Sequence, residues 1–469
     1  MHKNNMNLSK ENNLKKQELA ISPWMRNRIN TMVLAILDIL LFSTINLSFH
    51  IIIEKDYKNI IFGNSDFLFC SLLFIFSSYL SGRYSISLSS IKSEKNKEKP
   101  KKITTNLINL ALFFIPLSVY NYTDKGSSLD LTLLFIPISL TILISNQIVN
   151  IKSYIGKGSE SFNKKWIHIG TEDVYRQLKS DLKLNKRKYE IISMNFFSDK
   201  EIDISNFSGL IIDENYTLTS KENKIIDNFF KSGVKIISLY DWCEYSMERI
   251  PPNLIKNNVN YFSNPYDKFI VGIQLRIKRL IDIIFSILLL IITSPIILIA
   301  FLLIYIEDRK YILYKQKRNG YLFRPITLWK LRTMKKDAEI SGAQWSKAND
   351  PRITKVGAIL RKLRIDELPQ LIQVIKGDMS LIGPRPERIE FDNDLQEMIP
   401  YYNSRYSIRP GLSGWAQVNY PYGASVKDSE MKLSYDLYYI NNFSLALDIL
   451  ILFKTIRMIL NAKGAIPNN

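Results

Sequence analysis

Four long apolar stretches, near residues 31–53, 66–82, 104–123 and 130–150, dominate the first third of the chain. Each has about the 17 to 25 residues that a helix needs to cross a bilayer. Asp38, Pro116 and Pro137 interrupt them and are tolerated where they face neighbouring helices. From about 164 to 265 the pattern changes. Short apolar runs at Trp166–Ile169, Tyr189–Met194, Gly209–Ile212 and Val234–Leu239 alternate with polar helical stretches such as Glu172–Leu184 and Thr219–Ser232. That alternation predicts a small parallel α/β unit. A fifth apolar run, Leu280 to Ile306, carries Ser294 and Pro295 at its middle. A proline there removes a backbone donor and crowds the preceding turn, so the expected form is helix, break, helix.

The loops set an orientation. Between Arg83 and Lys102 lie seven Lys or Arg and two Glu, whereas the loops around 54–66 and 124–130 are near neutral or slightly acidic. Basic loops belong inside. The N-terminal tail, the loop at 83–103 and everything after Lys152 are therefore expected in the cytoplasm, with four crossings between them. Residues 1–30 lack a short apolar core followed by a small-residue cleavage site, so no cleavable signal peptide is expected. Residues 307–469 carry 26 Lys and Arg against 17 acids. A fifth segment that dips in and returns to the cytoplasmic face keeps that basic region inside; a kinked spanning helix is the alternative that its length allows.

The chain has 63 Lys and Arg against 44 Asp and Glu, a formal charge of +19. This balance suits anionic partners: phospholipid headgroups, nucleotides or nucleic acid. Cys70 and Cys243 are the two cysteines, too few for a disulfide framework or a cysteine zinc site. The three histidines, His2, His50 and His168, all precede residue 170, so acid–base chemistry beyond it must use carboxylates or lysines. After the first strand of the α/β unit the chain reads Ile169-Gly170-Thr171-Glu172-Asp173-Val174. It lacks the later glycines of a dinucleotide fingerprint and puts acids where a pyrophosphate would sit.

Polar motifs crowd the region beyond 314. Leu328-Trp329-Lys330-Leu331-Arg332-Thr333 is followed by Leu360-Arg361-Lys362-Leu363-Arg364-Ile365-Asp366-Glu367-Leu368-Pro369-Gln370 and by Gly383-Pro384-Arg385-Pro386-Glu387. Apolar residues at 359, 360 and 363, and again at 368, 371, 372 and 375, have helical spacing, and Pro369 suits the first turn of a new helix. Asp366 and Glu367 thus fall at a helix junction, where the dipole and Arg361, Lys362 and Arg364 are expected to keep both ionised. Such a pair can supply a nucleophile or help to hold Mg²⁺. It can equally be a solvated helix cap. Arg385, between Pro384 and Pro386, would present a rigid guanidinium to a phosphate.

These motifs, in this order, resemble the bacterial sugar transferase family, the polyprenyl-phosphate hexose-1-phosphate transferases of the monotopic phosphoglycosyltransferase superfamily. The resemblance runs from Arg276-x-Lys278-Arg279-Leu280-x-Asp282 through Ser294-Pro295, Ile365 to Gln370, Gly377-Asp378-Met379-Ser380 and Gly383 to Glu387. It continues through Arg409 to Asn419 and Asp436-Leu437-Tyr438-Tyr439-Ile440. Larger members of that family also carry four membrane helices and a nucleotide-binding-like domain. After Asn419, Tyr420-Pro421-Tyr422-Gly423-Ala424-Ser425 departs from the commoner pattern and is similar to an exopolysaccharide branch.

The resemblance implies a membrane protein of four parts: a cytosolic tail (1–30), four transmembrane helices (31–151), a Rossmann-like α/β domain (164–265), and a re-entrant membrane helix with a mostly α catalytic domain (276–469). It implies transfer of a sugar 1-phosphate from a nucleotide diphospho-sugar, a UDP-hexose, to polyprenyl (undecaprenyl) phosphate, with UMP released. It further implies a covalent phosphosugar on Asp366, Mg²⁺ held by Asp366 and Glu367, and substrate contacts by Arg361, Arg385, Lys330, Arg332, Arg409 and Asp436. The expected setting is the bacterial cytoplasmic membrane, multi-pass, with the catalytic domain on the cytoplasmic face. Membrane phospholipids, a second copy as homodimer and downstream glycosyltransferases are the expected partners, and nucleic acid is not. Two other readings stand beside it: a nucleotide-sugar oxidoreductase using Tyr311 and Lys315 at Tyr-x-x-x-Lys spacing, and a non-enzymatic membrane scaffold.

Overall fold

The structure is a computed structural model. It describes residues 28–54, 65–80, isolated positions between 110 and 144, 164–255 apart from 185–188 and 198–203, and 269–460 apart from 310, 336–337, 339–349, 421–422 and 424. The expected tail, the basic loop at 83–103 and most of the third and fourth apolar stretches lie outside the described residues. Two compact units emerge, residues 1–162 and 163–469.

In the first unit, helices α1 (Ile29–Glu54) and α2 (Ser65–Leu80) correspond to the first two apolar stretches. Phe42, Cys70, Phe74, Phe113, Ile138 and Ile142 form one buried cluster, so residues from all four stretches meet. Asp38 is buried, as its place between helices requires.

The second unit opens with β1 (Lys164–Ile169), α3 (Glu172–Leu184), β2 (Tyr189–Ser193), β3 (Gly209–Ile212), α4 (Ser220–Lys231), β4 (Lys235–Ser238) and α5 (Leu239–Met247). The strands are parallel in the order β2-β1-β3-β4. Alternation along β1 sends Trp166 into a cluster with Tyr175, Leu178, Trp242 and Met247 on one face. Ile167 and Ile169 go to Leu210 and Phe229 on the other. α4 starts where Thr219 and Glu222 form a reciprocal capping box.

Next comes α6 (Phe269–Asp308), 40 residues that run without interruption through Pro295. The sequence predicted a break. The helix survives because Ser294 Oγ donates 2.8 Å to the carbonyl of Ile291, four residues before the proline, which is the carbonyl that lost its N–H. Among the described residues this is the helix long and apolar enough to cross a membrane.

Beyond it lie the hairpin β5 (Leu313–Asn319) and β6 (Pro325–Leu331), α7 (Lys355–Lys362), a 3₁₀ turn Ile365–Gln370, α8 (Leu371–Lys376) and β7 (Ser380–Ile382). α9 (Ile389–Met398), a 3₁₀ turn Tyr402–Ser407, β8 (Gly411–Ser413), α10 (Trp415–Asn419), α11 (Val426–Asn441) and α12 (Leu445–Leu460) complete it.

Polar residues near the start of α6 fasten it to this layer. Lys278 pairs with Asp448 at 2.6 Å, Arg279 donates to the carbonyls of Val374 and Ile375 at the end of α8, and Asp282 accepts from Leu381 N at 3.1 Å. At its far end Ala300 and Ile304 pack with Leu331 and Leu360, and Asp308 pairs with Arg332 at 2.6 Å. Between these anchors Ile284, Leu288, Ile291, Ile292, Leu298 and Ile299 are exposed.

Candidate active site

The junction of α7 and the 3₁₀ turn is made by Arg364, whose φ of 59° is left-handed. For a residue with a Cβ this conformation is strained and persists where surrounding contacts demand it. It turns the chain so that Asp366 and Glu367 point inward, each 7% exposed. Neither is a solvated cap.

Cations surround Glu367. Lys330 Nζ, brought by β6, donates to Oε1 at 3.0 Å. Arg385 donates through both terminal nitrogens to the two carboxylate oxygens, and Arg364 lies 3.6 Å away. Burial opposes ionisation of Glu367, but Arg385, Lys330 and Arg364 outweigh it and hold the carboxyl well below its usual range. Asp366 goes the other way. Burial and then the charge of Glu367 push it up to about 6, against Lys330, Arg361 and Arg364. Asp366 thus lies above the ordinary carboxylate range and Glu367 below it, because desolvation and a like-charged neighbour exceed the pull of the cations on Asp366. Asp366 Oδ1 is buried without a hydrogen-bond partner. Burial also lowers Lys330, with Glu367 opposing.

Arg385 reaches this point through the close pairing of β7 and β8. A Cβ on Gly411 would lie 2.1 Å from Gly383 N, so only glycine allows the approach that carries Pro384-Arg385-Pro386 over the dyad. Arg361 stands one step back, with Nε 2.8 Å from Thr333 Oγ1.

Arg332, Arg409 and Asp436 meet partners other than the dyad. Arg332 is buried, pairs with Asp308 and stacks on Tyr311, because it ties β6 to the end of α6. Arg409 donates to Gly377 O at 3.1 Å and lies over Tyr321. Asp436 is buried against Arg405 at 3.2 Å. Arg405 itself escaped the sequence reading. Its only mark there is a lone charge in the run Tyr401-Tyr402-Asn403-Ser404-Arg405-Tyr406.

Tyr311 and Lys315 form no proton-moving couple. Tyr311 carries Arg332 on its ring and Lys315 lies over Trp329.

Among the described residues no cluster of three or more His, Cys, Asp or Glu could hold an ion. Asp366 nevertheless offers one unpartnered hard oxygen, which fits Mg²⁺, an ion that takes one or two carboxylates and completes its shell with waters and phosphate oxygens. The oxygens of Glu367 are taken by Arg385 and Lys330. The arrangement is a buried carboxyl with one unpartnered oxygen beside a second carboxylate ringed by three cations.

The sequence profile "Bacterial sugar transferase" matches residues 273–462. The UDP-N-acetylgalactosamine-undecaprenyl-phosphate N-acetylgalactosaminephosphotransferase of Aeromonas hydrophila is 47% identical over 189 residues, 40% of this chain and 45% of that protein. The UDP-glucose:undecaprenyl-phosphate glucose-1-phosphate transferase of Escherichia coli (strain K12) is 35% identical over 193 residues, 41% of this chain and 42% of that protein. These matches span less than half the length of both relatives. An exopolysaccharide production protein PSS of Rhizobium leguminosarum bv. phaseoli is 38% identical over 189 residues, 39% of this chain and 94% of that protein. With that relative covered almost end to end, and with the matched region holding the whole Asp366–Glu367 site, the chain belongs to the bacterial sugar transferase family.

Proposed function

We propose that the protein transfers a sugar 1-phosphate from a UDP-sugar to undecaprenyl or a related polyprenyl phosphate, in two steps through Asp366. The observation that carries this reading is the buried carboxylate pair with its three cations, in which Glu367 is neutralised while Asp366 keeps an unpartnered oxygen.

The donor diphosphate takes Arg385 and Lys330, groups that already bind an anion. The Asp366 carboxylate attacks the phosphorus bearing the sugar, the bond from that phosphorus to the bridging oxygen breaks, and UMP leaves with the electron pair. The product is an aspartyl phosphosugar. An oxygen of polyprenyl phosphate then attacks the same phosphorus and frees Asp366, giving polyprenyl-diphospho-sugar. Mg²⁺ would be held by Asp366 with Glu367 beside it, and would supply charge neutralisation at the phosphoryl oxygens. Arg361 and Arg364 hold Asp366 toward its anionic form.

An N-acetylhexosamine donor is favoured over glucose, since the identity is 47% to the N-acetylgalactosamine relative and 35% to the glucose relative. The product feeds exopolysaccharide or related glycan assembly.

The same reading places the protein in the cytoplasmic membrane with four crossings in residues 31–151 and a Rossmann-like unit at 164–265. α6, though one uninterrupted helix, is read as re-entrant through a bend at Pro295. In support, both its ends engage one polar layer while its apolar middle does not. The α/β unit, with Glu172 and Asp173 at the start of α3, is not a pyrophosphate site.

The test is release of UMP from a panel of UDP-sugars by the full chain with polyprenyl phosphate. Turnover should depend on the lipid, and Asp366→Asn should lose at least about a hundredfold. Near-normal turnover in that variant, or no release from any donor, would end the proposal.

A further inference from the structure

The turn that carries Arg385 has an unusual weakness. Pro384 and Pro386 have no N–H, so two of its three residues cannot anchor it by donating a main-chain hydrogen bond. What remains is the Arg385 N–H and the three carbonyls, and each carbonyl is gripped by a different element. Pro384 O accepts from Gly411 N at 2.9 Å. Pro386 O accepts from Arg318 Nη1 at 3.3 Å, from β5. Arg385 O, the middle one, accepts from Arg405 Nη2 at 2.7 Å.

Arg405 is buried, and every other bond of its fork goes to a fixed partner. Nη1 donates to Tyr402 OH at 2.6 Å, Nη2 also meets Asp436 Oδ2 at 3.2 Å, and the guanidinium lies over the Tyr402 ring. Tyr402 and Asp436 are themselves buried. A buried ion pair is weak evidence for stability, since an apolar replacement of similar volume is often as stable. A planar fork is strong evidence for geometry, because it holds its acceptors at set directions.

We propose that Arg405, fixed by Asp436 and Tyr402, is a positioning residue for transfer: it holds the main chain of Arg385 so that the guanidinium meets Glu367 and the donor diphosphate. This rests on the function proposed above. Asp436 thereby acts two contacts from the chemistry, as the counter-charge of Arg405, and touches no substrate.

The experiment is a double-mutant cycle in the full chain, with Arg405→Lys, Arg385→Ala and the double variant, read as kcat for UMP release. Lysine keeps the charge and loses the fork. Arg405→Lys alone should lower kcat by about ten- to a hundredfold, the scale of a displacement near 1 Å. In the Arg385→Ala background it should change kcat by less than about twofold, since the group it positions is gone. Equal losses in both backgrounds would show a general structural effect and overturn the proposal. Should Arg405→Lys fail to fold, Tyr402→Phe, which removes one of the three anchors, should give a smaller loss with the same dependence on Arg385, and an Arg385-independent loss would again overturn it. An experimental structure of the folded variant gives an answer independent of turnover: separation of Arg385 from Glu367 supports positioning, and an unmoved pair refutes it. If the wild-type chain releases no nucleotide, the functional reading falls while that structure still decides what Arg405 does.

Discussion

Asp366 and Glu367 are adjacent in the chain and equally buried, yet their surroundings drive their titrations apart. Glu367 owns the close cations, and Asp366 is left with desolvation and a negative neighbour, which push it up to about 6. Only the anionic form can attack phosphorus, so kcat/KM should rise with pH through about 6 as one proton is lost from the free enzyme. Glu367→Gln removes the like charge and leaves Lys330, Arg361 and Arg364 in place, so the acid limb should move to lower pH even as the maximum falls. A limb that stays put in a pH–rate series would show that another group controls it. The shift has the opposite sign for stability: the folded state binds this proton more tightly than the unfolded chain, so Asp366 stabilises most below about pH 4 and that contribution is lost as pH rises through about 6. The dyad was legible in the sequence because the ordered series of motifs around it resembles a known family, whereas the two acids alone fit a helix cap as well. Arg332 and Arg405 were not. A basic residue that pairs with Asp308 and one that pairs with Asp436, 31 positions away, look the same in one dimension as one that faces substrate.

At the scale of elements, periodicity located what repeats. The strands at Gly209–Ile212 and Tyr189–Ser193 and the helix Glu172–Leu184 fall where alternation and 3.6-residue spacing put them. The hairpin of β5 and β6 went unread, because Leu-Tyr-Lys-Gln-Lys-Arg-Asn has no clean apolar alternation and its stability comes from cross-strand pairs such as Tyr314 with Lys330. The expected break in α6 is bridged by a side chain, an event that depends on one hydroxyl rather than on a pattern. If α6 re-enters, Arg309→Cys at its far end and a cysteine at Arg276 should both be labelled from the cytoplasmic side in oriented vesicles. Labelling of position 309 only from the opposite side would make α6 a spanning helix and strand the dyad outside, away from nucleotide pools.

At the scale of the whole molecule, the α/β unit has no part in the dyad but is stitched to the layer that holds it. Trp415 Nε1 donates to Glu248 O at 3.0 Å, Ile250 N donates to Ser434 O at 2.8 Å, and Asn253 donates to Glu430. Ser434 lies on α11 two residues from Asp436, so the unit braces the helix that carries the partner of Arg405. The motifs of the two regions separate them in the sequence but do not reveal the seam, where main-chain groups of Glu248, Ile250 and Ser434 join side chains such as Trp415 and Asn253 that belong to no pattern. A chain beginning at Asn264 loses the Glu248, Ile250 and Asn253 partners but retains every residue that touches Asp366 or Glu367. Losing the two seam bonds to the main chain should cost about 2 kcal/mol, or roughly 4–8 °C in Tm for a domain of this size. The truncated chain should therefore melt earlier in detergent yet turn over at close to the full-length kcat when assayed well below its Tm. Undiminished Tm would mean that the seam contributes nothing to the catalytic layer. Loss of kcat in a sample shown to be folded and membrane-inserted would mean that the brace on α11 sets the position of Arg405, and through it of Arg385.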